Sequence, residues 1–249
     1  MPHDLGVLQQ ALSNIMADAS RLLTLALVAS TTTVGAQRTR PTVVIDPGHP
    51  SEVSSGATRQ NGTSEVHVAW RVAQRLATLL RARGYTVVMT KDSERTNVSN
   101  VDRARIGNRA QAALVVRLHC DDSPDSGYAI YYPDRQGTSH GRTGPNAAVM
   151  RASAAAAESL HVSMARRLAG KLKDRGVRGD SKTAIGEQQG ALTGSIFSEV
   201  PVVLVEMVTL SNPHDAAFIK APSGQSLMAQ AIAEGIGRYA PASNSPRVR

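Results

Sequence analysis

The chain has 249 residues, of which 41% are hydrophobic and 19% are charged, and these fractions exclude an intrinsically disordered protein. Its net charge of +8 suits polyanionic partners, such as an anionic lipid surface or an acidic cell-wall polymer. No RNA-binding signature or zinc finger accompanies this charge, so we expect no nucleic-acid partner.

The N-terminus has the features of an export signal. A short apolar run at 22–29 follows a basic residue, and small residues at 34–36 fit the rule for signal-peptide cleavage. The run is too short for an ordinary membrane-spanning helix, so we expect an exported protein rather than an integral membrane protein. We predict a signal peptide over 1–36 and a linker over 37–41. A start at Met16 would leave a more conventional signal, and a retained amphipathic helix is the alternative.

The rest of the chain alternates between strands and helices. The patterns predict strands at 42–45, 85–90, 113–119, 128–132 and 202–206, with a loop at 50–63 and a tail at 241–249. They predict helices at 64–83, 101–111, 213–219 and 224–239, and a long Ala-rich helix that runs to Lys173. Several of these strands are apolar on both faces. The predicted fold class is therefore α/β, a mainly parallel twisted sheet with helices on both faces, in one domain over 42–240.

Polar residues stand where three of the predicted strands end. His49 follows the first strand, His119 closes the third, and Glu206 closes the last. Sites in open α/β sheets form at the carboxyl ends of strands, and imidazoles are good zinc ligands. A lone histidine at a strand end is more often structural, but a buried carboxylate without a partner is costly. The combination favours a metal site that still lacks a third ligand.

These residues also carry a resemblance to a known family. The stretch 43–49 resembles the opening of the zinc-dependent N-acetylmuramoyl-L-alanine amidases of the amidase type 3 family. The similarity continues in order through Gly62 and Glu65, 84–87, Arg103 and Asn108, 118–121, 175–177, 200–206, 210–213 and Asp215. It covers residues 42–240, and the ordered set of blocks is highly specific.

The resemblance implies a function and a set of site residues. It implies that His49, Glu65 and His119 bind one zinc ion and that Glu206 is the catalytic carboxylate. Spacing alone does not single out Glu65, because Glu52 lies in the same region. The implied reaction cleaves the amide between N-acetylmuramic acid and L-alanine of the peptidoglycan stem peptide. We accordingly expect an exported monomer in the periplasm, the cell wall or the medium; the sequence identifies no activating partner.

The sequence departs from the family pattern in three places. Asp121 replaces a usual asparagine and would share a strand face with His119; substrate contact is the expected role, and assistance to the metal or altered specificity are the alternatives. The pair at 208–209 replaces a usual Gly-Phe, and residues 134–157 form an insertion that we expect to cover the site as a lid. These departures keep two alternatives open, a cell-wall-binding module with little or no activity and a zinc amidase or peptidase with another substrate.

Two further patterns carry less weight. The segment 137–141 fits the G-x-S-x-G pattern of serine hydrolases, but no core strand precedes it and no helix follows at once, so we treat the match as chance. Cys120 adjoins His119 and would face the other side of a strand, which favours a buried apolar role.

Overall fold

A computed structural model describes residues 40–242, so the predicted signal peptide, most of the linker and the tail from 243 onward lie outside the described residues. The strands are β1 (Thr42–Pro47), β2 (Arg59–Gln60), β3 (Thr63–Ser64), β4 (Thr86–Met89), β5 (Leu114–Asp121), β6 (Tyr128–Tyr132), β7 (Gly137–Ser139), β8 (Arg142–Gly144), β9 (Asp174–Gly179) and β10 (Val202–Thr209). The α-helices are α1 (Glu65–Ala82), α2 (Asn100–Arg109), α3 (Ala147–Leu168), α4 (Ala184–Gln189), α5 (Thr193–Ile196), α6 (Pro213–Lys220) and α7 (Pro222–Tyr239), and a 3-10 helix spans Asp180–Lys182.

The main sheet has six strands in the order β4-β1-β5-β10-β6-β9. The pairs β1–β4, β1–β5, β5–β10 and β6–β9 are parallel, while β6 runs antiparallel to β10. The predicted mainly parallel sheet is therefore confirmed. This order places β1, β5 and β10 side by side, so the segments that carry His49, His119 and Glu206 are neighbours.

The strands bury both of their faces. On one face, Ile45, Val116 and Val205 belong to the large core that also contains buried residues of α1, α3 and α7. On the other face, Val44 and Val115 form a smaller cluster against which α2 packs. The helices thus lie on both faces of the sheet, as the pattern predicts. Within residues 40–242, no helix combines the length and apolarity needed to cross a membrane.

Some boundaries differ from the sequence prediction. The Ala-rich helix ends at Leu168, well before residue 173, because Ala169 leaves helical geometry and Gly170 has a φ of +69°. The last core strand continues beyond Glu206 to Thr209, with a break in register between those residues. Strand β9 was not predicted because its sequence is mostly polar and lacks the apolar run of a core strand.

The expected lid over 134–157 is contradicted. Its second half forms the first turns of α3, where Val149, Ser153 and Ala156 are buried. Its first half forms the β7–β8 hairpin, in which the G-x-S-x-G match spans β7 and the turn after it rather than lying between a core strand and a helix. The hairpin packs tightly against the segment between α4 and α5. A Cβ on Gly137 would lie 2.5 Å from the backbone nitrogen of Ala191.

Candidate metal centre

His49 lies just beyond the end of β1 and has an uncommon backbone conformation. Its φ is +54°, in the left-handed region that non-glycine residues seldom adopt. Two contacts hold it there: Lys91 donates a hydrogen bond to the carbonyl oxygen of His49, and Nδ1 of the ring lies 3.1 Å from the carbonyl oxygen of Ser54. The second ring nitrogen, Nε2, lies 3.1 Å from Oε2 of Glu65.

Glu65 stands between two histidines. It is the first residue of α1, where a carboxylate is favoured by the partial positive charge of the helix terminus. Its other oxygen, Oε1, lies 2.9 Å from Nδ1 of His119 and accepts a hydrogen bond of 3.1 Å from the backbone of Cys120. Side-chain donor atoms of His49, Glu65 and His119 all lie within 4.8 Å of one another.

Glu206 faces this group from the adjacent strand. Residues 119 and 206 are register partners on β5 and β10, so their side chains project near each other. Nε2 of His119 and Oε2 of Glu206 are both buried, and neither has a hydrogen-bond partner within residues 40–242. Buried polar atoms without partners are costly. A divalent cation held by the three clustered side chains would satisfy the histidine nitrogen, so the residues fit a metal ion.

The protonation states of the cluster follow from burial and from Glu65. Burial raises the pKa of Glu65, but hydrogen bonds from His119 and His49 outweigh it and hold the pKa well below its usual value. Burial likewise lowers the pKa of both histidines. For His49 the hydrogen bond with Glu65 and the charge of Glu65 together outweigh burial, and its pKa is raised. For His119 burial outweighs the hydrogen bond with Glu65, and its pKa is lowered. A neutral His119 is the form that ligates metals.

The pKa of Glu206 moves in the opposite direction. Burial raises it well above the ordinary value, and the negative charges of Glu65 and Asp121 add to the effect. A carboxylate held in this way accepts a proton readily. A cation beside it would oppose the shift, because positive charge favours the ionised form.

A buried ionic network supports the loop that carries His49. Asp46, at the end of β1, is fully buried and pairs with Arg103 and Arg117. Thr90 donates a further hydrogen bond to it. Burial raises the pKa of Asp46, but the charges of Arg103 and Arg117 reverse this and lower it.

Asp121 engages protein groups. Its Oδ2 lies 2.7 Å from Nη2 of Arg175 and accepts a hydrogen bond of 3.1 Å from the hydroxyl of Ser123. Asp121 does not line the main cavity of the described residues, and its expected substrate contact stays a prediction. The other departures on β10, Val208 and Thr209, are fully buried, so their side chains lie away from solvent.

A cavity of about 180 Å³ opens over the cluster. Its lining residues are His49, Ser51, Val53, Asn100, Arg103, Arg117, His119, Thr183, Ile185, Leu192, Thr193, Leu204 and Glu206. Four of these residues lie in the 183–193 region and none lies in 134–157. Residues 183–193, which include α4 and the start of α5, therefore form this part of the cavity wall. The β7–β8 hairpin packs against that segment and does not line the cavity.

Two site residues escaped the sequence analysis. Lys91 holds the His49 carbonyl from the end of β4, and Arg117 lines the cavity from β5. Arg117 left a signal, because it interrupts the apolar run at 114–118 of a buried strand. A charge at such a position requires a partner or a function. Lys91 left no comparable signal.

Comparisons with known proteins agree with this arrangement. The family model described as N-acetylmuramoyl-L-alanine amidase, Amidase_3, matches residues 43–238. The chain is 31% identical over 201 residues to the amidase LytC of Bacillus subtilis, covering 80% of this chain and 35% of LytC. It is 28% identical over 225 residues to the amidase AmiC of Neisseria meningitidis, covering 80% of this chain and 53% of that protein.

A solved structure shares the fold. The amidase AmiC2 of Nostoc punctiforme superposes with a TM-score of 0.64 at 26% identity, covering 80% of this chain and 96% of that one. The coverage of LytC and AmiC shows that the chain spans between a third and about half of the length of those curated relatives.

Proposed function

This chain belongs to the Amidase_3 family of N-acetylmuramoyl-L-alanine amidases, and from that membership we propose that it hydrolyses the amide between N-acetylmuramic acid and L-alanine in peptidoglycan. The observation that carries the proposal is the convergence of His49, Glu65 and His119 near Glu206, in a group of which His49, His119 and Glu206 line one cavity. These side chains come from the loop after β1, from α1, from β5 and from β10. A hydrolytic centre needs such an arrangement of ligands and a separate base.

We propose that the three clustered side chains hold one Zn²⁺ ion. Two imidazoles and one carboxylate form a donor set that zinc commonly takes in hydrolases. Zinc, when bound, polarises a carbonyl oxygen and lowers the pKa of a water molecule toward about 7. The two oxygens of Glu65 contact one ring nitrogen of each histidine, which brings the three donor groups together.

Glu206 is the proposed general base and acid. Its raised pKa suits a carboxylate that takes a proton from the attacking water and returns it to the departing amine of L-alanine. Oε2 of Glu206 is free of protein partners within the described part of the chain, so it is available for that proton.

Export is part of the same proposal, because the substrate lies outside the cytoplasm. The apolar run at 22–29 and the small residues at 34–36 support a secretory signal. The mature enzyme would then act in the periplasm, the cell wall or the medium.

A digest of purified peptidoglycan tests the function. The zinc-loaded protein should release stem peptides that begin with L-alanine, and a chelator should abolish the release until zinc is restored. Glu206→Gln should lose activity by at least about 10²-fold while keeping one zinc per chain. His67→Ala, an exposed histidine outside the cluster, is the matched control and should remain active.

The alternatives predict different results. A binding module would retain peptidoglycan and zinc without releasing peptide. An amidase or peptidase with another substrate would bind zinc and leave the N-acetylmuramic acid–L-alanine bond intact. Either result, obtained with folded and zinc-loaded protein, would reject the proposed reaction.

A further inference from the structure

Arg117 is a buried cation with unused hydrogen-bonding capacity beside the catalytic cavity. It is 5% exposed, yet it lines the cavity together with Glu206 and His119. Its Nε donates to Asp46 at 3.1 Å and its Nη2 donates to Asn100 at 2.6 Å. These hydrogen bonds within residues 40–242 leave Nη1 for another acceptor.

The position of Nη1 is fixed by α5. A Cβ on Gly194 would lie 3.0 Å from Nη1 of Arg117, so this nitrogen sits against the start of that helix. The residue before Gly194, Thr193, lines the cavity. Gly194 itself lines a second, smaller cavity, and Arg117 lines both cavities, so Nη1 lies on the part of α5 that adjoins the two.

The other arginine of the cavity has no such capacity. Arg103 donates from Nε to the carbonyl of Val98, from Nη1 to Asp46 and the carbonyl of Pro47, and from Nη2 to the carbonyl of Pro50. Every nitrogen of its guanidinium is therefore engaged in holding loops together. Arg103 is structural, whereas only two of the three guanidinium nitrogens of Arg117 make these hydrogen bonds.

The charges around Asp46 do not balance. Two guanidinium groups share one carboxylate, which leaves one positive charge at the cavity wall. The charge of Arg117 reaches Glu206 and Asp180, but neither carboxylate is hydrogen-bonded to it. Burying a cation without full compensation is costly. An anionic group of a ligand would supply the missing partner.

The distance along β5 relates this cation to the reaction. Residues 117 and 119 are two apart on one strand and share a face, which separates their Cα atoms by about 6.6 Å. Two residues of an extended peptide span about 7 Å. An acidic group on the residue after L-alanine would therefore come to the level of Arg117 when the scissile amide lies near His119 and Glu206.

We propose that Arg117 binds the free α-carboxylate of the second stem-peptide residue and makes the enzyme selective for it. That residue is glutamate joined through its side-chain carboxyl, and its α-carboxyl is either free or amidated in different walls. A hydrogen bond between a guanidinium and a carboxylate is stronger than one to a neutral amide. The inference rests on the proposed amidase function and names the group of the substrate that the cavity binds.

A matched pair of substrates tests the proposal. The two muropeptides are identical except that one carries isoglutamate and the other isoglutamine. The zinc-loaded wild-type enzyme should cleave the acid with a kcat/KM higher by on the order of 10- to 100-fold. Arg117→Gln should bring the ratio close to one by slowing cleavage of the acid only, and Arg117→Lys should keep part of the preference. Arg71→Gln, which removes an exposed positive charge of α1, should leave the ratio unchanged.

A binding measurement separates this inference from the reaction. Calorimetry with the dipeptides L-alanyl-D-isoglutamate and L-alanyl-D-isoglutamine, each with its side-chain carboxyl blocked as the methylamide, requires no turnover, and the acid should bind more tightly to wild-type protein. Hydrolysis of both muropeptides at equal rates would overturn the inference and leave the function intact. If neither muropeptide is hydrolysed, the proposed function is overturned. Equal affinities of wild-type protein for the two dipeptides would overturn the inference, and this result does not depend on whether Arg117→Gln folds.

Discussion

Gly48 faces the imidazole of His119 so closely that no side chain fits between them. A Cβ on Gly48 would lie 2.6 Å from Cε1 of that ring and 2.8 Å from both ring nitrogens. The backbone of Gly48 is fixed at the same time, because its nitrogen donates a hydrogen bond of 2.9 Å to the carbonyl of Leu118. The glycine is therefore required by the position of a proposed metal ligand.

Gly48→Ala should weaken zinc binding with little effect on the rest of the fold. The new methyl group must displace the ring of His119, since the backbone on both sides is tied to the sheet. We expect the zinc affinity to fall by about 10- to 100-fold, as when groups that orient metal ligands are disturbed. Competition with a chromophoric chelator measures the affinity. Gly237→Ala in α7, where a Cβ would lie 3.7 Å from the nearest heavy atom, is the control.

Lys91→Met should also reduce zinc affinity, through His49. The ammonium of Lys91 bonds the carbonyl oxygens of His49 and Glu94, and it stabilises the left-handed conformation of His49. Methionine preserves most of the buried volume but cannot donate. We expect a loss of about 10- to 100-fold in zinc affinity by the same chelator assay. Lys173→Met, at an exposed lysine, should bind zinc normally, and equal affinity in both variants would show that Lys91 does not position the ligand.

The sequence predicted the parts of the fold that depend on apolar periodicity. Strands β1 and β10 contain continuous apolar runs and the run of β5 is interrupted only at Arg117; His49, His119 and Glu206 follow these runs. Glu65 required the family resemblance, because its approach to both histidines depends on how α1 crosses the sheet. No local pattern records that crossing.

The position of residues 183–193 in the cavity wall also depends on tertiary contacts, so the sequence did not predict it. Residues 183–193 have no strong periodicity, and their place over the site is set by contacts with the β7–β8 hairpin and with Arg117. The Gly-, Ser- and Ala-rich composition of 134–157 led to the prediction of a lid over the site. Alanine instead serves close packing in α3, where Ala156 and Ala157 are fully buried.

Shortening the β7–β8 hairpin should lower stability and activity. Residues 137–144 pack on α5, where Ile196 is fully buried. Replacing them by Gly-Gly would expose that side chain, at a cost of about 1.5–3 kcal/mol of unfolding free energy. Urea unfolding and peptide release together measure the effect, and Thr143→Ala, at an exposed position of the hairpin, is the control. Unchanged stability and activity would show that the hairpin does not support α5.

Asp180→Asn should stabilise the protein at neutral and alkaline pH. Burial raises the pKa of Asp180 to about 6, and the charge of Asp134 adds to the effect. Because the folded pKa lies above the ordinary 3.8, stability should fall as the pH rises through that range, by ~3 kcal/mol at most. Asparagine can still accept the hydrogen bond from the backbone of Leu192 but never ionises. In urea unfolding, the variant should therefore exceed wild type at pH 8 and approach it near pH 4, whereas Asp122→Asn, at an exposed position, should match wild type at both. A difference that did not change with pH would mean that the carboxyl group does not titrate in this range.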